Sequence, residues 1–202
     1  MKKDIIITIG REFGSGGREI GVKLAEKLGI KFFDKELITS VAEKMECGEG
    51  AVEFYEEKAP GFLYTANSIF DIYEMPMSDK IFIAQSHAIE ELAEKERPCI
   101  VIGRAADYVL KEHENVFKVF IKSDIKSRVE RKKHIVENVA PEKMEAHIKS
   151  VDKRRAKYYS YYTDQKWGVA STYDLCVDSS VFGIDGTVDL IAEAIKIRMN
   201  NM

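Results

Sequence analysis

The sequence predicts an α/β protein of three layers, a parallel five-stranded sheet with helices on both faces. Three observations carry that expectation. Short β-branched apolar runs alternate with longer stretches of helical spacing along most of the chain. The apolar runs are continuous instead of alternating with polar residues, as in strands covered from both sides. A glycine-rich turn also joins the first strand to the first helix, as a strand–helix–strand crossover requires.

The elements follow in order. Ile5 to Ile9 is the first buried strand. Helical spacing begins at Arg18, with Ile20, Leu24 and Leu28 on one face and Gly29 as a natural stop. Ile30 to Phe33 is a short second strand, and Asp34 is placed to cap a helix running to about Met45. From about Cys47 to Pro76 the character changes. Six glutamates between Glu43 and Glu57 precede an irregular aromatic stretch with Phe62, Tyr64, Phe70 and Tyr73, interrupted by Pro60, Gly61 and Pro76. This reads as a helical excursion off the sheet whose aromatics pack on the body or on a second copy, so a homodimer contact is compatible with it. A long helix is expected from about Ser78 to Lys95, a strand at Cys99–Ile102 and another at Val116–Ile121. Asp124 to Val136 is helix-forming, and Pro141 is suited to open a further helix that continues through Tyr158–Tyr162. Tyr173 to Val177 makes the fifth strand, and Gly186 to Met199 the closing helix.

Composition narrows the function. The 202 residues carry 45% hydrophobic and 32% charged side chains, which fits one packed soluble domain. A net charge of −3 gives the molecule no general attraction for a nucleic acid polymer or an anionic membrane. That charge is unevenly spread: from Lys126 to Lys157 there are 11 Lys or Arg against 5 Asp or Glu. Such a block is either a solvated helix surface or a local site for a polyanion. Cys47, Cys99 and Cys176 form no CxxC pair, which suits reduced thiols in the cytoplasm, and Cys99 and Cys176 read as small core residues. The opening MKKDIIITIG has an apolar run too short for a signal peptide or membrane span, so a cytoplasmic location is expected. His87, His113, His134 and His147 show no metal-ligand spacing.

The most informative stretch is Gly10-Arg-Glu-Phe-Gly-Ser-Gly-Gly-Arg-Glu-Ile20, between a strand and a helix. Glycines there let backbone N–H groups turn inward around an anion, and the helix N-terminus adds partial positive charge. A phosphate loop normally reads GxxxxGK[ST]. With Gly16 as the second glycine, Arg11 stands at the first, Gly17 at the lysine and Arg18 at the Ser/Thr. Three of the four positions are therefore changed, although the loop length is kept. A dinucleotide GxGxxG turn matches Gly14 and Gly16 but meets Glu19 at its third glycine, and a plain glycine-rich connection is the remaining alternative. If phosphate binds, Arg11 and Arg18 are the local replacements for the missing ammonium, and Ser15 is the nearby hydroxyl for a magnesium ion.

The arrangement resembles the cytidylate kinase-like family within the P-loop nucleoside monophosphate kinases. Ile102-Gly103-Arg104 is similar to that family's Gly-Arg-Asp segment, whose arginine contacts the monophosphate. Arg128-x-x-Arg131-Lys132 is similar to the arginines that open the lid, and Ile148-Lys-Ser-Val-Asp152-Lys-Arg154-Arg155 to the lid's second basic stretch. The chain departs at Ala105, where the family has aspartate, and at Asp34-Lys35-Glu36, where it has Asp-Ser-Gly. The resemblance implies one kinase-like domain over residues 1–202, with an acceptor-side helical insertion at about 34–76 and a basic lid at about 124–168. It implies transfer of the γ-phosphate of ATP, with Mg2+, to a nucleoside monophosphate, most simply CMP or dCMP. Arg11, Gly14, Ser15, Gly16, Gly17 and Arg18 would hold the donor phosphates. Asp34, Arg104, Asp107, Arg128 and Arg155 would bind the acceptor, and Arg18, Arg131 and Arg154 would stabilise the transferred group. A nucleotide-binding regulator without catalysis and a kinase of another small metabolite are the alternatives. Tyr158, Tyr159, Tyr161, Tyr162 and Trp167 suit packing better than base stacking.

Overall fold

The computed structural model describes residues 4–46, 76–136 and 139–201, and for residues 41–46 the backbone alone. The excursion expected between Cys47 and Pro76 falls almost wholly outside the described residues. Strand β1 (Ile6–Arg11) leads through the glycine loop into helix α1 (Gly17–Leu28), then β2 (Lys31–Phe33) and α2 (Lys35–Glu46). After residue 76 come α3 (Met77–Lys95), β3 (Cys99–Ile102), the short α4 (Ala106–Val109) and β4 (Val116–Lys122). Then follow α5 (Ile125–Lys132), a 3-10 turn (Pro141–Lys143), α6 (Met144–Thr163), a second 3-10 turn (Ala170–Thr172), β5 (Leu175–Asp178) and α7 (Ser179–Asn200).

The five strands form one sheet in the order β2-β3-β1-β4-β5. All pairings are parallel, with Ile7 opposite Ile100 on one side and Phe117 on the other. Parallel pairing follows from the helical crossovers, which return the chain to the same end of the sheet. Alternation along β1 distributes its apolar residues to both faces. Ile7 and Ile9 meet Ile20 and Leu24 of α1 and Ile191 and Ile195 of α7. Ile6 joins Cys99 and Val101 on the opposite face against Ile38, Ala88 and Ile89. A third cluster, Phe82 with Tyr159 and Tyr162, joins α3 to α6.

The three-layer α/β expectation is met, and several boundaries move for identifiable reasons. Helix α5 stops at Lys132 instead of Val136, after a start fixed by Asp124, whose carboxylate accepts from the Ser127 amide at 3.0 Å. Helix α7 begins seven residues earlier than its glycines suggest, because Asp178 caps it through the Ser180 amide and Gly183 absorbs a break at φ 66°. Tyr173 precedes β5 instead of belonging to it. Cys99 is buried as expected, whereas Cys176 is exposed, because β5 is an edge strand and that residue faces outward. No described helix is long and apolar enough to cross a membrane.

Candidate functional site

Strand order reverses direction at β1: the chain first builds β2 and β3 on one side, then β4 and β5 on the other. In a parallel sheet the crevice beyond the strand C-termini at such a point is where ligands bind. The glycine loop lies there. Gly14 and Gly16 have φ of 87° and 79°, a region that other residues enter only with strain. Gly16 begins α1 with no side-chain cap, and the first intrahelical bond runs from the Ile20 amide to its carbonyl. The amides of Gly17, Arg18 and Glu19 thus have no acceptor among the described residues. Three open N–H groups at the positive end of a helix dipole are able to receive an anion.

Two adjoining clefts open over this edge. The loop-side cleft, about 710 Å³, is bordered by Gly14, Gly16 and Gly17 and by Arg131 and Lys132 of α5. The aromatic cleft, about 380 Å³, is walled by Tyr158, Tyr159, Trp167 and Tyr173, with Arg104 and Arg154 at its rim. Arg11, Lys35 and Arg155 line both.

The cations here are largely unneutralised. Arg11, Lys35, Arg104, Lys132, Arg154 and Arg155 form no ion pair among the described residues. Burial, then the charges of Arg155 and Arg104, push the Arg11 guanidinium down to about 9. Burial also lowers Arg155, with Arg104 and Arg154 adding to the effect against Asp152, and lowers Lys132, with Arg131 and Arg155 adding. Carboxylates, among them Asp34 and Glu36, border the loop-side cleft as well, but none forms an ion pair with these six cations, and like charges held together in this way favour an anion between them. Arg155 additionally donates to the Arg11 carbonyl at 3.0 Å, and Arg154 to the Ser150 hydroxyl at 2.9 Å.

The other candidate residues are placed differently. Arg18 borders the loop-side cleft, but its side chain is 69% exposed and grips Asp34 at 2.6 Å. Burial works against the Asp34 charge, yet the Arg18 bond and the Leu37 amide hold it below the usual carboxylate range. Arg131 bonds Glu19 at 3.2 Å, and its guanidinium carbon lies 3.3 Å from where a Cβ on Gly16 would stand. Arg128 lines neither cleft. It is buried, bonding Asp152 at 2.5 Å, while the other Asp152 oxygen accepts from the Phe13 amide at 2.8 Å. Ser15 is also buried, its hydroxyl donating to the Glu12 carbonyl at 2.9 Å, so that group is turned away from both clefts. The described residues contain no group of three His, Cys, Asp or Glu able to hold a metal ion.

In the aromatic cleft Gly103, Arg104 and Ala105 have φ of 79°, 56° and 52°, a run of left-handed residues that aims Arg104 over Tyr158, 5.8 Å from its ring centre. Burial raises the Asp107 carboxyl above its usual range, although the Tyr159 hydroxyl donates to it at 2.6 Å. The hydroxyls of Tyr158 and Tyr173 are buried with no hydrogen-bond partner. The aromatics therefore pack, as expected.

Lys35 and Tyr173 were given no site role by sequence, and Lys132 entered only as the end of the Arg128–Lys132 basic segment. Lys35 had one available signal: it follows a strand end directly, and parallel topology brings every strand end to the same edge. Lys132 sits 4.8 Å over the Phe13 ring, a contact between segments far apart in sequence.

Comparison with known proteins agrees with the fold. A family model described as "Cytidylate kinase-like family" matches residues 6–181. A cytidylate kinase of Archaeoglobus fulgidus is 29% identical over 95% of this chain and 95% of its own. The crystal structure of an uncharacterized protein from Eubacterium ventriosum is similar, at 32% identity and TM-score 0.75 over 96% of this chain and 99% of that one. Shikimate kinase from Bacteroides thetaiotaomicron, 14% identical with TM-score 0.55 over 95% of this chain and 98% of its own, shares the fold.

Proposed function

The chain belongs to the cytidylate kinase-like family, with a P-loop, nucleoside-monophosphate-kinase-like fold, and on that premise we propose that it transfers the γ-phosphate of ATP to a nucleoside monophosphate, CMP or dCMP. The observation that carries this reading is the convergence of six unpaired cations on two adjoining clefts beside three open helix amides. One cleft has the glycine loop for a polyphosphate, and the other has aromatic walls for a planar ring.

In this reading the loop amides and Lys132 hold the donor phosphates. Arg104 and Arg154 hold the acceptor phosphate, and the basic segments of α5 and α6 act as a lid. An acceptor phosphate oxygen attacks the γ-phosphorus, a new P–O bond forms, and the bond to the β,γ-bridging oxygen breaks with its electron pair leaving on ADP. Little covalent chemistry is asked of the protein; it aligns the two phosphates and offsets charge on the moving group. Mg2+ arriving with ATP would supply positive charge against the phosphate oxygens, and the described residues hold no group of three His, Cys, Asp or Glu that would bind it unaided. The pyrimidine edge is assigned to the Asp107–Tyr159 end of the aromatic cleft.

Purified protein assayed with ATP against CMP, dCMP, UMP, AMP, GMP and shikimate tests this directly. The fastest turnover is expected with CMP or dCMP. ATP binding without turnover of any nucleotide would refute it.

A further inference from the structure

In the phosphate-loop alignment two changes look like separate losses: the first glycine has become Arg11, and the lysine has become Gly17. Their geometry makes them one change. A Cβ on Gly17 would lie 2.7 Å from the Arg11 Cβ and 2.9 Å from its Cγ. The Arg11 side chain therefore runs directly over the place where a lysine side chain would begin. At its far end, a Cβ on Gly103 would lie 2.0 Å from Nη1 and 2.9 Å from Cζ. Gly17 on α1 and Gly103 after β3 together form the seat in which this arginine lies.

We propose that Arg11 supplies, from the end of β1, the positive charge that a lysine on the first turn of α1 supplies in a standard phosphate loop, and that Gly17 and Gly103 are the residues that admit it. Its position fits the task. Arg11 lines both clefts, and its guanidinium lies against Gly103 at the edge of the aromatic one. It forms no ion pair among the described residues, and Arg155 and Arg104 repel it more strongly than Glu36 and Asp34 attract it. A planar fork of donors in such a place is suited to phosphate oxygens. Two other arginines beside the loop are already engaged, Arg18 by Asp34 at 2.6 Å and Arg131 by Glu19 at 3.2 Å. The catalytic consequence rests on the kinase reading above; the charge assignment does not.

The test uses the full chain and two readouts: calorimetric binding of inorganic tripolyphosphate, and kcat and KM with ATP. Arg11→Ala is expected to weaken tripolyphosphate about 10- to 100-fold, the worth of a charge-assisted hydrogen bond or two. It should lower kcat about 10²- to 10³-fold, with a smaller change in KM. Gly17→Ala, which unseats Arg11 without removing it, should move both readouts the same way. In an Arg11→Gly background, adding Gly17→Lys should recover at least tenfold in binding, because the vacated seat then holds the lysine. Circular dichroism confirms folding of each variant, and the Gly17 variants carry the test if Arg11→Ala fails to fold. Wild-type binding by Arg11→Ala, or a larger loss in Arg18→Ala, overturns the proposal. The two readings fail separately. Arg11-dependent tripolyphosphate binding without turnover of any acceptor removes the kinase reading and keeps the charge assignment, whereas normal turnover in Arg11→Ala does the reverse.

Discussion

Replacing Asp152 on α6 by Ala should cost the fold about 3 kcal/mol. Its carboxylate does two things: Oδ1 accepts from the Phe13 amide at 2.8 Å, and Oδ2 accepts from Arg128 at 2.5 Å. The pair is shielded, with side-chain exposures of 9% for Arg128 and 15% for Asp152. Losing a charge-assisted bond to a buried guanidinium is worth about 1.5–3 kcal/mol, and an orphaned amide adds about 1–3 kcal/mol. Part is recovered, because the Glu12 carboxylate at 3.7 Å and the Phe13 carbonyl at 3.4 Å remain near Arg128. For a chain of this size the loss corresponds to roughly 6–12 °C in Tm. Urea denaturation followed by circular dichroism measures it, in a cycle with Arg128→Met and the double variant. The double variant should cost about 1–2 kcal/mol less than the sum, since methionine leaves no stranded charge. A loss below about 1 kcal/mol for Asp152→Ala, or strict additivity, would show that this clamp does not tie α5 and α6 to the loop.

Three other outcomes are expected. Inorganic tripolyphosphate at about a hundred times its Kd should raise Tm by roughly 5–10 °C in differential scanning fluorimetry, because it binds only the folded cation cluster; no shift would mean that the cluster is not an anion site. The folded-state value of Asp107 is raised by burial, so its protonation favours the native state: that stability is complete below about pH 4 and is lost as pH rises through the raised value. Asp107→Asn should therefore flatten the decline of unfolding free energy measured from about pH 4 upward, and an unchanged slope would contradict the assignment. Arg18→Ala should cost less than about 1 kcal/mol in urea denaturation, since its bond to Asp34 is made by a side chain 69% exposed, and a loss above about 2 kcal/mol would show a buried role.

The sheet was legible because its strands carry their own pattern: Ile5–Ile9 and Cys99–Ile102 are buried on both faces and contain almost nothing but branched apolar residues. The end of α1 was legible for a similar reason, since Gly29 takes φ 66° and leaves a recognisable stop. The loop was legible as a glycine-rich turn between a strand and a helix, but the partners of its arginines were not. Arg18 and Arg128 look as suitable in sequence as Arg11, yet each is taken by a carboxylate, Asp34 or Asp152, that only the folded chain brings near. Burial decided Ser15 in the same way, its hydroxyl facing the Glu12 carbonyl beneath the loop. The start of α7 was missed because Gly183 and Gly186 suggested a loop, while the cap at Asp178 outweighed them.

Strand β1 is hydrogen-bonded on both sides, to β3 and β4, and so occupies the middle of the sheet. Amide protons there should exchange only when the entire molecule comes apart, while those of α5 and α6 can exchange through smaller excursions. The anion cradle is thereby grafted onto the slowest-opening element of the protein. Opening at its rim, on α5 and α6, then leaves the strand that anchors it in place.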